Sequence, residues 1–193
     1  MPPKMFIVAG PPGSGKSTAF PVAAFGVDFF NADDHAAALN KGSYGDIPRE
    51  IRACVNTLFE TFVLDHIEMR SSCAFETTLR SAVTFDQAAL ARRAGFTVEM
   101  RYLCLPNFEN HLERVKMRAD RGGHSAPEPV LRGIYESSIA NLPRAIREMD
   151  LIYVYENGAW GETPEILLQA EHGEVVYQAE RIPRWLAGSV ARL

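Results

Sequence analysis

The sequence predicts one α/β domain, a three-layer fold around a central, mostly parallel five-stranded sheet. Three observations carry this. Five short apolar runs alternate with helical patterns, which is the signature of parallel strands joined by crossover helices. The first three runs each end in polar residues, as ligand-binding strand ends of such sheets do. The chain has 193 residues with no low-complexity tract, repeat or linker, so residues 1–193 read as a single domain with one core.

Residues 4–9 (K-M-F-I-V-A) are nearly all apolar and suit a strand buried on both faces. A glycine-rich loop follows, and a helix is expected over 17–24, with Pro21 disturbing its first turns. Residues 27–30 form a second strand ending in Asn31-Ala32-Asp33-Asp34, followed by a polar, glycine-bearing stretch over 40–48. Ile51, Val55, Leu58, Phe62 and Ile67 mark one apolar face of a helix over 49–69. The third strand, 72–75, runs into Glu76-Thr77-Thr78. A helix over 85–94 closes at Gly95, and the fourth strand, 98–105, stops at Pro106. A charged helix over 109–120 precedes the break Arg121-Gly122-Gly123-His124. A helix over 128–147 is expected to be kinked or divided by Pro143, and 151–155 is the fifth strand. Residues 166–169 and 174–178 flank His172-Gly173 as an antiparallel hairpin, with a short helix over 183–193. The C-terminal hairpin and helix together occupy about 164–193.

Composition narrows the function classes. A net charge of −4 argues against bulk binding of nucleic acid, which needs clustered, unopposed Lys and Arg. No apolar stretch approaches the ~18 residues of a membrane span, and Met-Pro-Pro-Lys does not open a secretory signal, so a cytoplasmic protein is expected. Cys54, Cys73 and Cys104 show no metal-ligand spacing, and the last two are expected as small buried hydrophobes. His35, His66, His111 and His172 read as surface or loop residues, and Trp160 and Trp185 as packing residues.

The strongest local signal is Gly10-Pro11-Pro12-Gly13-Ser14-Gly15-Lys16-Ser17-Thr18, which matches GxxxxGK[ST] between a strand and a helix. In such a Walker A loop the backbone N–H groups wrap phosphate oxygens and the helix N-terminus adds its positive dipole end. Lys16 would reach the β- and γ-phosphates of a nucleoside triphosphate, and the Ser17 hydroxyl would ligate Mg²⁺. Asp33 and Asp34 suit either proton acceptance from a hydroxyl or support of magnesium through water; a solvated helix cap explains them equally well. Glu76, Thr77 and Thr78 are candidates for substrate contact, against the plainer reading of a polar strand end. Arg114, Arg118 and Arg121 fall on one helix face next to Gly122-Gly123, as a lid over about 109–130 would need to neutralise a transferring phosphoryl group. Pairing with Glu109, Glu113 and Asp120 is the alternative. Arg132 and His124 are further candidates for substrate contact.

Taken in order, A-G-P-P-G-S-G-K-S-T, F-N-A-D, F-E-T-T with Ser81, R-V-x-x-R-x-x-x-G-G-H, Y-E-S-S and N-L-P resemble the zeta-toxin-like P-loop kinases, and the G-G-H lid resembles their small bacterial members. The resemblance covers about the first four-fifths of the chain. It implies a transferase with ATP and Mg²⁺ as cofactors, moving the γ-phosphoryl group to a hydroxyl of a small molecule, such as a UDP-sugar like UDP-N-acetylglucosamine. It makes Asp33 the base, places Glu76 and Thr78 on the acceptor, and puts arginines of the 114–121 segment, here Arg118 and Arg121, on the γ-phosphate. An antitoxin partner is compatible with the resemblance, although no sequence feature points to one. An antibiotic or nucleoside kinase of the same architecture, and a non-catalytic nucleotide-dependent switch acting through a protein partner, remain as alternatives.

Overall fold

The central strand of the sheet, β1 (Lys4–Ala9), lies between β3 (Cys73–Thr77) and β4 (Thr97–Cys104), parallel to both. β2 (Asp28–Phe30) adds in parallel outside β3, and β5 (Leu151–Glu156) adds in parallel outside β4. The structure is a computed structural model describing residues 2–120, 126–158 and 161–193. Arg121, Gly122, Gly123, His124 and Trp160 lie outside the described residues.

The expected count of five strands is corrected, because the antiparallel hairpin expected at one edge belongs to the same sheet. Among the described residues the sheet has seven strands in the order β2-β3-β1-β4-β5-β6-β7. β6 (Glu165–Glu171) pairs antiparallel with β5 from Leu151↔Glu171 to Glu156↔Glu165, and β7 (Glu174–Gln178) closes the edge. Backbone donors and acceptors on the outer edge of β5 need partners, and the hairpin supplies them by extending the sheet.

One face of the sheet carries most of the core. Met5, Ile7, Phe75, Met100 and Tyr102 pack with Val55 and Val63 of α3 (Arg49–Met69) and Phe85 and Ala88 of α4 (Val83–Arg93). Leu142 and Ile146 of α6 (Glu128–Glu148) and Trp185 and Leu186 of α7 (Arg184–Val190) complete it. On the opposite face Val8 and Leu103 pack with Phe20, Phe25, Phe29 and Tyr155. That layer is thin because α1 (Lys16–Ala19) ends after four residues. Phe20 precedes proline, which disfavours the helical backbone, and it leaves the helix at φ −129°, ψ 72°. Pro21 then leads into a 3₁₀ turn at Val22–Ala24 rather than a continued helix.

Pro143 lies within α6 and does not divide it. The charged helix is α5 (Phe108–Ala119), and a helix α2 (Ala32–Leu39), expected only through the cap reading of Asp33 and Asp34, follows β2. Cys73 and Cys104 are fully buried as expected. His66 and His111 are buried too, against the surface placement expected of them. Both ring nitrogens of each find partners: His66 with Phe62 O and the exposed Asp28 carboxylate, His111 with Pro12 O and Leu105 N in the interior. No described helix is long and apolar enough to cross a membrane.

Candidate active site at the carboxyl ends of the parallel strands

The parallel register brings the three polar strand ends together. Ala9 pairs with Thr77 and Phe30 with Phe75, so β1, β2 and β3 end at nearly the same level, with Gly10 and Asn31 just beyond their strands and Glu76 in the last rungs of the β3 ladder. Gly10 N donates to Thr77 O at 3.2 Å and ties the start of the loop to β3.

Three loop glycines have backbone conformations or neighbours that exclude a side chain. Gly10 sits at φ +143°, where a Cβ would collide with the Leu103 carbonyl of β4. A Cβ on Gly13 would stand 2.6 Å from His111 O, and one on Gly15 2.6 Å from the Asn157 side chain. The loop therefore lies directly on α5 and on the end of β5. Ser14 is fully buried and contributes its backbone, whereas Ser17 and Thr18, inside α1, are exposed.

Lys16 is only 6% exposed. Its Nζ donates to Gly10 O at 2.9 Å and Pro11 O at 3.2 Å, and stands 3.5 Å from Glu76 Oε1. Burial lowers the pKa of its ammonium; the Glu76 and Asp33 carboxylates oppose that, and Arg118 adds to it. Lys16, Glu76, Asp33 and Arg118 thus share one electrostatic neighbourhood. The other Glu76 oxygen, Oε2, accepts from Ser17 Oγ at 3.2 Å. Glu76 stands opposite Val8 in the β3–β1 ladder, on the sheet face over which α1 lies. This puts it on the loop's Lys16 and Ser17.

Asn31 caps α2: its Oδ1 accepts from Asp33 N at 2.9 Å and Asp34 N at 3.4 Å. The cap is therefore Asn31, with both aspartates in the first turn. Their carboxylates divide. Tyr44 OH donates to Asp34 Oδ1 at 2.8 Å, while Asp33 is the carboxylate felt by Lys16. Arg118 lies close enough to act on both Lys16 and Tyr44. Arg114 donates to Gly158 O, and its guanidinium lies 3.4 Å from where a Gly15 Cβ would be.

Two candidates are engaged elsewhere. Thr77 Oγ1 bonds Thr84 Oγ1 at 3.0 Å and accepts from Leu79 N at 3.1 Å, which shapes the turn after β3; Thr78 follows it, half-buried. Arg132 pairs with Glu128 at 3.2 Å and stacks 4.0 Å over the Phe108 ring, at the contact between α6 and α5.

His111 is 2% exposed. Leu105 N donates to its Nε2 at 3.0 Å, which fixes the neutral tautomer with Nδ1–H donating to Pro12 O at 2.9 Å. Burial is the main cause that pushes its pKa down to about 4, from 6.5. Below 6.5 the unfolded chain takes up a proton that the fold refuses until about pH 4, so stability falls as pH drops through that window. The expected loss is about 3 kcal/mol over the whole interval. Urea unfolding near pH 7 and near pH 4.5 should therefore give a smaller pH dependence for His111→Asn than for the natural chain.

No family model and no curated protein matches this chain. Solved structures do. The complex of AvrRxo1-ORF1 and AvrRxo1-ORF2 with sulphate ions contains a chain 20% identical, with a TM-score of 0.69, over 90% of this chain and 60% of that one. The same pair with ATP gives 18% identity and a TM-score of 0.67 over the same shares of each chain. The PezAT toxin–antitoxin system of Streptococcus pneumoniae aligns over 99% of this chain and 78% of that chain, at 15% identity and a TM-score of 0.60. The fold is P-loop kinase-like. At these identities the likeness speaks for the fold alone, and this chain spans about 60% of the length of the AvrRxo1 chain it resembles.

Proposed function

We propose that this protein is an ATP-dependent phosphotransferase that moves the γ-phosphoryl group to a hydroxyl of a small molecule. The observation that carries the reading is Lys16 of a phosphate loop standing 3.5 Å from the Glu76 carboxylate, with Asp33 and Arg118 near enough to act on its charge. A switch needs the loop but has no use for a second carboxylate, Asp33, acting on the loop lysine.

In this reading the loop amides and Lys16 hold the β- and γ-phosphates. Lys16 exchanges Glu76 for phosphate oxygens when nucleotide enters, because a triphosphate outcompetes a single carboxylate for a buried ammonium. Asp33 accepts the proton of the acceptor hydroxyl, whose oxygen forms the new bond to the γ-phosphorus. The bond from that phosphorus to the bridging oxygen breaks, and ADP leaves with the electron pair. Arg118 and Arg114 offset charge on the transferring group; the same role is proposed for Arg121, and contact with the acceptor for His124.

The donor set at Ser17 and Glu76 is one hydroxyl and one carboxylate 3.2 Å apart, hard oxygen ligands that suit a Mg²⁺ ion retaining most of its water. Ser17 directly, and Glu76 through water, would hold it, and the ion would offset charge on the β- and γ-phosphates. A UDP-sugar such as UDP-N-acetylglucosamine is the acceptor class proposed first, with Thr78 and Tyr44 on the acceptor side of Asp33. ATP consumption by the pure protein, with and without a panel of sugar nucleotides, nucleosides and aminoglycosides, tests the reading. Turnover that requires an acceptor and is abolished in Lys16→Ala supports it. Tight ATP binding with no acceptor-dependent turnover by the natural protein would instead favour a nucleotide-dependent switch.

A further inference from the structure

The phosphate loop is held from behind by two side chains that the proposed reaction does not use. His111 Nδ1–H donates to Pro12 O at 2.9 Å, and Asn157 Nδ2 donates to Ser14 O at 2.8 Å. Both are buried, with His111 2% and Asn157 8% exposed. Each is itself fixed by a backbone bond: Leu105 N donates to His111 Nε2, and Asn157 N donates to Cys104 O at 2.8 Å. They come from separate elements, α5 and the end of β5.

The two loop glycines outside the opening Gly10 lie where these residues press in. Gly13 meets the His111 backbone and Gly15 meets the Asn157 amide, each leaving no room for a Cβ. A peptide unit points its C=O and N–H in opposite directions. A carbonyl drawn backwards therefore turns the following N–H forwards, into the loop's concave side. Pulling back Pro12 O turns Gly13 N forward, and pulling back Ser14 O turns Gly15 N forward.

We infer that His111 and Asn157 are positioning residues that set the phosphate-binding amides of Gly13 and Gly15. The inference rests on the reading of this loop as the ATP site. The same two residues tie the loop to the arginines: His111 shares α5 with Arg114 and Arg118, and Arg114 donates to Gly158 O, next to Asn157. The arginine-bearing helix and the phosphate loop are thereby held in one fixed relation.

Equilibrium titration of the full 193-residue chain with ATP and magnesium tests this, with circular dichroism and thermal melting run on each variant. Asn157→Asp keeps the shape and backbone bond but turns a donor towards Ser14 O into an acceptor. It is expected to weaken ATP binding by roughly tenfold or more while remaining folded. His111→Ala is expected to lose roughly tenfold as well. His111→Asn, whose amide restores a donor near the Nδ1 position, should recover most of that loss. Folded Asn157→Asp that binds ATP as tightly as the natural chain overturns the inference, as does His111→Asn no better than His111→Ala. If His111→Ala fails to fold, the isosteric Asn157→Asp decides the question alone. Natural protein that binds ATP yet transfers nothing sinks the phosphotransferase reading and leaves this inference standing; natural protein that does not bind ATP sinks both.

Discussion

Asp33→Asn is expected to lower acceptor-dependent phosphoryl transfer by about 10²–10⁴-fold, with ATP affinity changed little. The substitution keeps the size of the side chain and the helix α2 that carries it, since the cap is made by Asn31. It removes the capacity to take up a proton together with the negative charge felt by Lys16. Asp34→Asn serves as the control, because Asp34 is engaged by Tyr44 while Asp33 is the carboxylate that acts on Lys16. Steady-state rates for the two variants at saturating ATP separate the roles. A large loss in Asp34→Asn with little loss in Asp33→Asn would transfer the base to Asp34 and reverse the division of labour read here.

Gly10→Ala is expected to destabilise the fold by about 3 kcal/mol or more. At φ +143° a side chain is strained, and the atom it meets is a backbone carbonyl of β4, which cannot swing aside. Gly42→Ala makes a useful comparison. It too has positive φ, but nothing lies within 4 Å of its would-be Cβ, so it should lose only the strain component. Urea midpoints for the two variants would show whether the steric term at Gly10 dominates. Equal midpoints would mean that β4 yields where its ladder says it should not.

Much of this was legible in the residues because the signals were local. The strand–loop–helix around Lys16, the helix at Arg49–Met69 and the buried runs of β1, β4 and β5 are each written in contiguous patterns. The hairpin was read locally too, but its union with β5 is a pairing between Leu151 and Glu171 that no local pattern encodes. α2 carried a readable signal: an Asn cap followed by acids in the first turn and then three alanines.

The site was legible by residue type and less so by direction. Which side chains Glu76 meets depends on its register against Val8, so its contacts with Lys16 and Ser17 were not readable from the strand end alone. His111 escaped because its partners are backbone atoms of Pro12 and Leu105, and a histidine bound to carbonyl and amide groups has no motif. Asn157 was missed for the same reason. Its target, Ser14 O, is 143 positions away in the chain. The close approaches at Gly13 and Gly15 were the trace these residues left in the sequence, but a phosphate loop is glycine-rich anyway, so that trace is masked.

The central claim, that Lys16 and Asp33 act on the two halves of one phosphoryl transfer, is tested most directly by mass spectrometry of a metabolite extract incubated with the protein, ATP and magnesium. The account predicts a small-molecule species that gains one phosphoryl group with the natural chain and is missing from parallel incubations with Lys16→Ala and Asp33→Asn. Undiminished product from purified, folded Asp33→Asn would contradict it.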